Sequence, residues 1–168
     1  MSAGRRFSLE AARRTREMSP NPPIFAPKNR PILSDSSPHV LMWDDLLIQF
    51  GNGIQRRQMI NMLDSHLNDL GNHGIIVDVL LIGGSFVIRD LVPSDIDALI
   101  PYRLDPSCDL NQAIEFLRKP TIAELDLRYA PQDADVAIFV KMISFFTLLY
   151  SYDEITNYLS KPVFIVQR

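Results

Sequence analysis

The sequence predicts an α/β (α+β) domain in which helices flank a mixed β-sheet. Segments with a helical spacing of apolar residues alternate with short runs rich in β-branched residues, and no dinucleotide-binding glycine fingerprint accompanies them. At 168 residues, the chain is long enough for one domain with a hydrophobic core and too short for two ordinary ones. We therefore expect a leader over residues 1–40 and one folded domain over residues 41–168.

The clearest predicted helix spans residues 54–70, where Ile60, Leu63, Leu67 and Leu70 recur on one face. The other predicted elements are strands over residues 75–82, 95–100, 136–140 and 163–166, a helix over 142–150, and a helix that Asp109 caps and Pro120 ends. We expect the first three strands to be neighbours in one sheet, with the first helix packed on it.

The leader is basic and rich in proline. Residues 1–30 hold seven Arg or Lys and two Asp or Glu, a balance of +5 that leaves −8 for the rest of the chain. A main domain this acidic argues against a protein that coats nucleic acid. The basic leader could nevertheless contact RNA or an acidic partner. Prolines between Pro20 and Pro31 exclude regular helix. We expect a solvated leader that is poorly ordered in isolation.

Cysteine content and hydropathy exclude several classes of protein. Cys108 is the single cysteine, which excludes an intrachain disulfide and a cysteine-built zinc site. No apolar run approaches the roughly 18 to 20 residues of a membrane helix, and no secretory signal pattern is present. We expect a cytoplasmic protein without a membrane partner.

A glycine turn after the strand at 75–82 is the first chemically informative feature. Gly83 and Gly84 would let backbone N–H groups approach a phosphate closely, and Ser85 adds a hydroxyl donor. If a helix begins just after Ser85, its N-terminus also favours an anion. Alone, such a turn is more often only a chain reversal.

Two carboxylates follow at the start of the next strand. Asp95 and Asp97 are two residues apart, so both side chains project to one face while Ile96 points to the other. Carboxylates on one face repel each other unless a cation bridges them, and Mg²⁺ prefers carboxylate and phosphate oxygens. Alone, the pair is also typical of a solvated strand end.

The order of these features resembles the nucleotidyltransferase superfamily signature, with nine residues between Ser85 and Asp95. The run from about Leu46 to Arg168, roughly 120 of 168 residues, is similar to minimal nucleotidyltransferase-like proteins of bacteria and phages. The similarity is carried by the sequences Gly84-Ser85-Phe86-Val87 and Pro93-Ser94-Asp95-Ile96-Asp97. The chain departs from the family at Lys161-Pro162-Val163, where the family tends to read Lys-Gly-Ile.

The resemblance implies a nucleotidyltransferase fold with a metal site completed by a third carboxylate. Asp95 and Asp97 would hold Mg²⁺ or Mn²⁺, while the glycine turn would hold the β- and γ-phosphates of ATP. Asp135 is the first choice for the third metal ligand and for the group that accepts the acceptor's proton, because it opens the strand predicted over 136–140. Asp126 is the rival, and Asp133 is expected to be a solvated turn residue.

The implied activity is transfer of a nucleoside monophosphate, AMP from ATP, to a protein, RNA or small-molecule acceptor. Minimal nucleotidyltransferases often adenylylate a partner toxin of the HEPN kind, so the resemblance suggests the antitoxin of a toxin–antitoxin pair. The alternative is the same fold with an idle site, acting as an antitoxin or assembly subunit.

Two further segments are open to more than one interpretation. Arg56 and Arg57 are expected on a solvated helix face, although they could meet a phosphate or a partner. Residues 145–150 form an apolar run too dense for one stripe, which indicates deep burial or an interface.

Overall fold

A computed structural model describes residues 37–88 and 91–168 of the chain. The prediction of a poorly ordered leader falls almost entirely on residues outside this part. Within it the protein is a mixed α+β domain with four helices. In chain order, its elements are β1 (His39–Met42), α1 (Trp43–Phe50), α2 (Ile54–Asn72), β2 (Ile75–Ile76), β3 (Val79–Gly83), β4 (Ile96–Leu104), α3 (Leu110–Arg118), β5 (Leu125–Pro131), α4 (Val136–Ser151), β6 (Tyr152–Asp153), β7 (Tyr158–Leu159) and β8 (Phe164–Gln167).

The described strands form one mixed sheet of six strands and a separate β6–β7 hairpin. The order in the large sheet is β1-β8-β3-β4-β2, and β5 also pairs with β4. Strands β1 and β8 are parallel, as are β4 and β5, whereas β3 is antiparallel to both β4 and β8. The predicted mixed sheet is therefore confirmed.

The two faces of the sheet are covered differently, because successive strand residues point to opposite sides. Leu80 and Ile82 face the larger core, to which α1, α2 and α3 contribute. Leu81 and Leu99 face α4, where Tyr150 completes a smaller core. Asp97, two residues before Leu99, therefore projects toward the α4 side.

Several predicted elements are confirmed with shifted ends. The helix predicted over residues 54–70 is α2, and its apolar stripe is buried as expected. Asp109 caps α3, where its carboxylate accepts hydrogen bonds from the backbone N–H groups of Asn111 and Gln112. The strand expected over 75–82 is present as β2 and β3, and the strand expected over 95–100 continues to Leu104. The last strand is β8.

The prediction of a strand over residues 136–140 is wrong. This stretch is the first part of α4, a single helix of 16 residues. Its β-branched residues favour a strand, but the Asp135 carboxylate accepts hydrogen bonds from the N–H groups of Ala137 and Ile138, at 2.9 and 3.3 Å, and caps a helix. The strand beside β4 is instead β5, which the sequence analysis did not assign.

Among the described helices, none combines the length and the hydropathy that a membrane span requires.

Candidate functional site

Three neighbouring strands bring the glycine turn and two carboxylates to one place. In the antiparallel pair of β3 and β4, Gly83 lies opposite Asp97. In the parallel pair of β4 and β5, Asp97 lies opposite Asp126. Residues directly opposite on paired strands project to the same face. The carboxylates of Asp97 and Asp126 are therefore cross-strand neighbours beside the Gly83-Gly84-Ser85 turn.

The glycines of the turn allow close approach of side chains from two directions. Gly84 has φ +66°, in the left-handed region that glycine adopts without strain, and a Cβ there would overlap the Asp97 carboxylate. A Cβ on Gly83 would overlap Tyr150 near the end of α4. The turn thus holds the carboxylate and the helix directly against its backbone, a role beyond the phosphate contact that the sequence suggests.

Asp97 is held in a site that disfavours its charge. Burial raises the pKa of its carboxyl to about 6, and the negative charges of Asp95 and Asp126 add to the increase. Lys161 and Arg128 act in the opposite direction but do not cancel it. A half-buried carboxylate with two acidic neighbours and a raised pKa is typical of a functional site, because a cation would relieve the repulsion.

The other two acids of the cluster have partners in the structure. Asp95, just before β4, accepts a hydrogen bond of 2.9 Å from the Ser94 hydroxyl. Asp126 forms an ion pair of 3.0 Å with Arg128 on the same strand. Within the described residues, no group of three or more Asp, Glu, His or Cys side chains is arranged to hold a metal ion.

A cavity of about 550 Å³ opens at this cluster. Its lining includes the acids Asp97, Asp126 and Glu154 and the cations Arg128 and Lys161. Aromatic side chains from the end of α4 and the start of β6 form an aromatic wall, namely Phe146, Tyr150 and Tyr152. Its volume lies within the range of small-molecule sites, roughly 300 to 1,000 Å³, and its lining combines charge with flat apolar surface.

Arg56 ties the segment that follows the glycine turn to α2. Its guanidinium is buried, with the residue 7% exposed, and donates to the backbone carbonyls of Phe86, Ile88 and Leu91. The neighbouring Gln55 donates to the carbonyl of Pro93 at 3.0 Å. The predicted solvated face is wrong for Arg56 and correct for Arg57, which is exposed. Helical spacing could have revealed this, since Arg56 precedes the buried Met59 and Ile60 by three and four residues.

Asp135, the preferred third carboxylate of the sequence analysis, is not brought to the cluster. It is the N-cap of α4, whereas the opposite end of that helix packs Tyr150 against Gly83. The 15 residues from Val136 to Tyr150 place these two ends about 21 Å apart. The structure instead brings Asp126, the rival candidate, beside Asp97. Alternation of buried Leu125 and Leu127 around Asp126 is the strand signal that could have indicated this.

Comparison with known families identifies a group without an assigned role. The model of a family of unknown function, DUF6932, matches residues 21–128. The chain belongs to this family. No curated protein and no solved structure matches the chain.

The residues that match the DUF6932 model include the carboxylate cluster but not Asp135. Arg56, the glycine turn, Asp97 and Asp126 all fall within residues 21–128, whereas Asp135 and α4 lie beyond them. The part of the chain that defines the family therefore includes both carboxylates of the cavity wall.

The contact between Gly84 and Asp97 can be tested by adding one methyl group. We expect Gly84→Ala to lower the free energy of unfolding of this DUF6932 protein by about 2 to 4 kcal/mol, because a left-handed alanine costs about 1 kcal/mol and the Cβ must displace the carboxylate. Gly71→Ala is the control for the added methyl group, since Gly71 lies within α2 and has nothing within 4 Å of an added Cβ. Urea denaturation should show no loss of stability for the control, because alanine favours a helix more than glycine does. Equal losses in the two variants would contradict the contact.

Proposed function

We propose that this DUF6932 protein is a metal-dependent nucleotidyltransferase that transfers a nucleoside monophosphate, AMP from ATP, to an acceptor. One observation carries the proposal. The Asp97 carboxylate lies directly against Gly84, which has a left-handed backbone conformation, and Asp126 lies opposite Asp97 on the adjacent strand. The glycine turn at the end of β3, followed by Asp95 and Asp97 where β4 begins, agrees with the nucleotidyltransferase signature. On this basis, we propose that the mixed sheet belongs to a nucleotidyltransferase fold.

The donor set suits Mg²⁺ or Mn²⁺ bound together with a nucleotide. Asp97 and Asp126 would hold the ion, with Asp95 beside them. The raised pKa of Asp97 supports this proposal, because a cation would offset the repulsion among the carboxylates. Magnesium in such sites is usually bound through one or two carboxylates together with phosphate oxygens and water. The lack of a preformed three-ligand group in the described residues is thus compatible with an ion that arrives with ATP. When bound, the ion would neutralise charge on the phosphate oxygens during displacement.

The chain's own residues would hold the remaining parts of the nucleotide. Backbone N–H groups of Gly84 and Ser85, together with Lys161 and Arg128, would contact the phosphates. Tyr150 and Tyr152 on the aromatic wall offer a surface for the base. Burial raises the pKa of Tyr150, with added effects of Asp97 and Asp126, so its phenol stays protonated and can donate a hydrogen bond.

Asp126 is proposed to orient and deprotonate the acceptor hydroxyl, in place of Asp135. Asp126 is paired with Arg128, whose guanidinium would turn to the phosphates when ATP binds. The acceptor would be a protein, an RNA or a small molecule. The more specific proposal of a partner toxin of the HEPN kind rests on the family resemblance.

One observation favours the alternative, a nucleotidyltransferase fold with an idle site. The Asp126–Arg128 ion pair, at 3.0 Å, occupies a carboxylate that the reaction needs. In an idle antitoxin or assembly subunit this pair would be permanent. Binding of ATP with metal therefore separates the two functions, because the idle module requires neither.

Nucleotide binding is tested by calorimetry with ATP and Mg²⁺ or Mn²⁺. We expect metal-dependent binding that Asp126→Ala weakens by about 100-fold or more, since loss of even an outer-shell partner of a metal site costs about 10- to 100-fold. Asp135→Ala is the matched control, which should lower stability by about 1 kcal/mol through loss of the α4 cap and leave binding unchanged. Transfer is then sought with labelled ATP and the product of the neighbouring gene. A wild type that binds no nucleotide would replace the enzyme proposal with the idle module.

A further inference from the structure

One side of the protein leaves an extended apolar surface uncovered. We define the α4 surface as the exposed side of α4 together with the β6–β7 hairpin that follows it. Its most prominent side chains are Val136, Phe145, Leu148, Leu149, Ile155 and Tyr158, with exposures from 49% to 76%. The opposite side of α4, including Phe139 and Phe146, packs on the sheet. The helix is therefore apolar on both sides, and only one of them is satisfied within the described part of the chain.

The size of the α4 surface exceeds what a monomer normally exposes. Ten large apolar side chains between Val136 and Leu159 are more than a third exposed. If each leaves on the order of 100 Å² accessible, their combined area is about 1,000 Å². The largest apolar patch on a typical monomer is about 300 to 600 Å², whereas a standard interface buries about 800 Å² on each partner. The surface thus has the area that a stable complex requires.

Charge on the α4 surface is sparse and balanced. Lys141 is the single charged residue in the 16 residues of α4. In the hairpin, Asp153 is buried and accepts hydrogen bonds from Thr156 and Ser160, so Glu154 is the exposed acid. Lys141 lies in the first half of α4 and Glu154 follows the end of the helix, so the two charges are complementary to a copy of the same surface turned end for end. Depletion of charge at the centre is typical of permanent homodimer interfaces.

We propose that the α4 surface binds a second copy of this chain in a two-fold symmetric dimer. The two α4 helices pack antiparallel, with Phe145 and Leu148 near the symmetry axis. Lys141 of each copy then lies toward the β6–β7 hairpin of the other copy, which carries Glu154. This inference does not depend on the proposed function, because it rests on apolar area and on the charges of Lys141 and Glu154, and neither residue belongs to the carboxylate cluster, although Glu154 lines the same cavity.

The dimer would also border the candidate site. Leu149 and Tyr152 belong to the α4 surface and line the cavity beside Asp97. A second copy seated on α4 would therefore lie at the rim of each cavity and narrow the approach of an acceptor from that side.

The test measures the mass of the full chain in solution. Light scattering after size exclusion, at about 1 to 100 μM protein, should give twice the 19.1 kDa chain mass for the wild type. Leu148→Glu should give the monomer mass, because it places a charge at the centre of the interface. Ile48→Glu is the matched control, since Ile48 is 75% exposed on α1 across the sheet, and it should remain dimeric. Circular dichroism checks that both variants are folded, and Phe145→Lys serves as a second disrupting variant.

A charge exchange tests the orientation of the two helices. Lys141→Glu should weaken the dimer, and combining it with Glu154→Lys should restore it, because the two ends exchange signs. A wild type that is monomeric throughout the concentration range would overturn the proposal. So would a dimer that Leu148→Glu leaves intact, and so would a monomer that uses Leu148 to bind a different protein.

Discussion

Asp97→Asn is expected to make the protein more stable near pH 7.5 and unable to bind ATP with metal. The wild-type carboxylate is ionised at this pH in a place where burial and two acidic neighbours oppose its charge. The amide has nearly the same shape and carries no charge, so it removes the repulsion. After allowance for solvent screening of a partly exposed group, we expect a gain of about 1 to 2 kcal/mol in the free energy of unfolding.

The pH dependence of stability follows from the same carboxyl group. Its pKa in the folded protein is about 6, above the ordinary value of 3.8, so between these values the folded state binds more protons than the unfolded state. Stability of the metal-free protein should therefore fall as pH rises from about 4 to 6, and this contribution should be constant above that range. The Asp97→Asn variant should lack this decline.

Urea denaturation in the presence of a chelator, at several pH values from 4 to 8, measures both effects. Asp78→Asn is the matched control, since Asp78 is an exposed acid that pairs with Arg103 at 3.3 Å. We expect it to change stability by less than about 1 kcal/mol and to leave ATP binding intact. An Asp97→Asn protein that is less stable than wild type at pH 7.5 would show that the carboxylate supports the fold instead of a ligand.

The sequence was most informative where structure is decided by neighbours along the chain. The stripe from Ile60 to Leu70 fixes α2, and the carboxylate of Asp109 fixes the start of α3, because both signals act within one or two helical turns. The proximity of Asp97 to the glycine turn also followed from local order, since β3 and β4 are consecutive and adjacent in the sheet.

The position of the third carboxylate depends on contacts that the chain order does not reveal. Asp126 reaches Asp97 because β5 pairs with β4 in parallel after the α3 crossover. Asp135 was preferred because the residues after it favour a strand, yet their apolar character on all sides suits a helix that packs on the sheet and leaves a second face exposed. β-branched composition cannot distinguish these outcomes without knowledge of what the segment packs against.

Arg56→Met is expected to lower the free energy of unfolding by about 3 to 4 kcal/mol, because it leaves buried backbone carbonyls without donors. The wild-type guanidinium serves the carbonyls of Phe86, Ile88 and Leu91, the last two at 2.8 Å, and lies over the Phe86 ring at 5.2 Å. Each buried acceptor left unpaired costs about 1 to 3 kcal/mol, although water can reach the partly buried Leu91. Burial lowers the pKa of Arg56 from its ordinary value, which agrees with a guanidinium held inside the protein.

Arg57→Met separates this effect from the loss of a positive charge on α2, since Arg57 is the adjacent residue and is exposed. We expect it to change stability by less than about 0.5 kcal/mol in the same urea titration. Arg56→Lys should fall between the two, because an ammonium keeps the charge but cannot reproduce the planar fork that reaches several carbonyls. In the lysine variant, the segment between the glycine turn and Asp95 should loosen, so ATP affinity should fall more than global stability would suggest. If Arg56→Met and Arg57→Met lowered stability equally, the guanidinium would be a surface charge and would not hold the segment that positions Asp95 and Asp97.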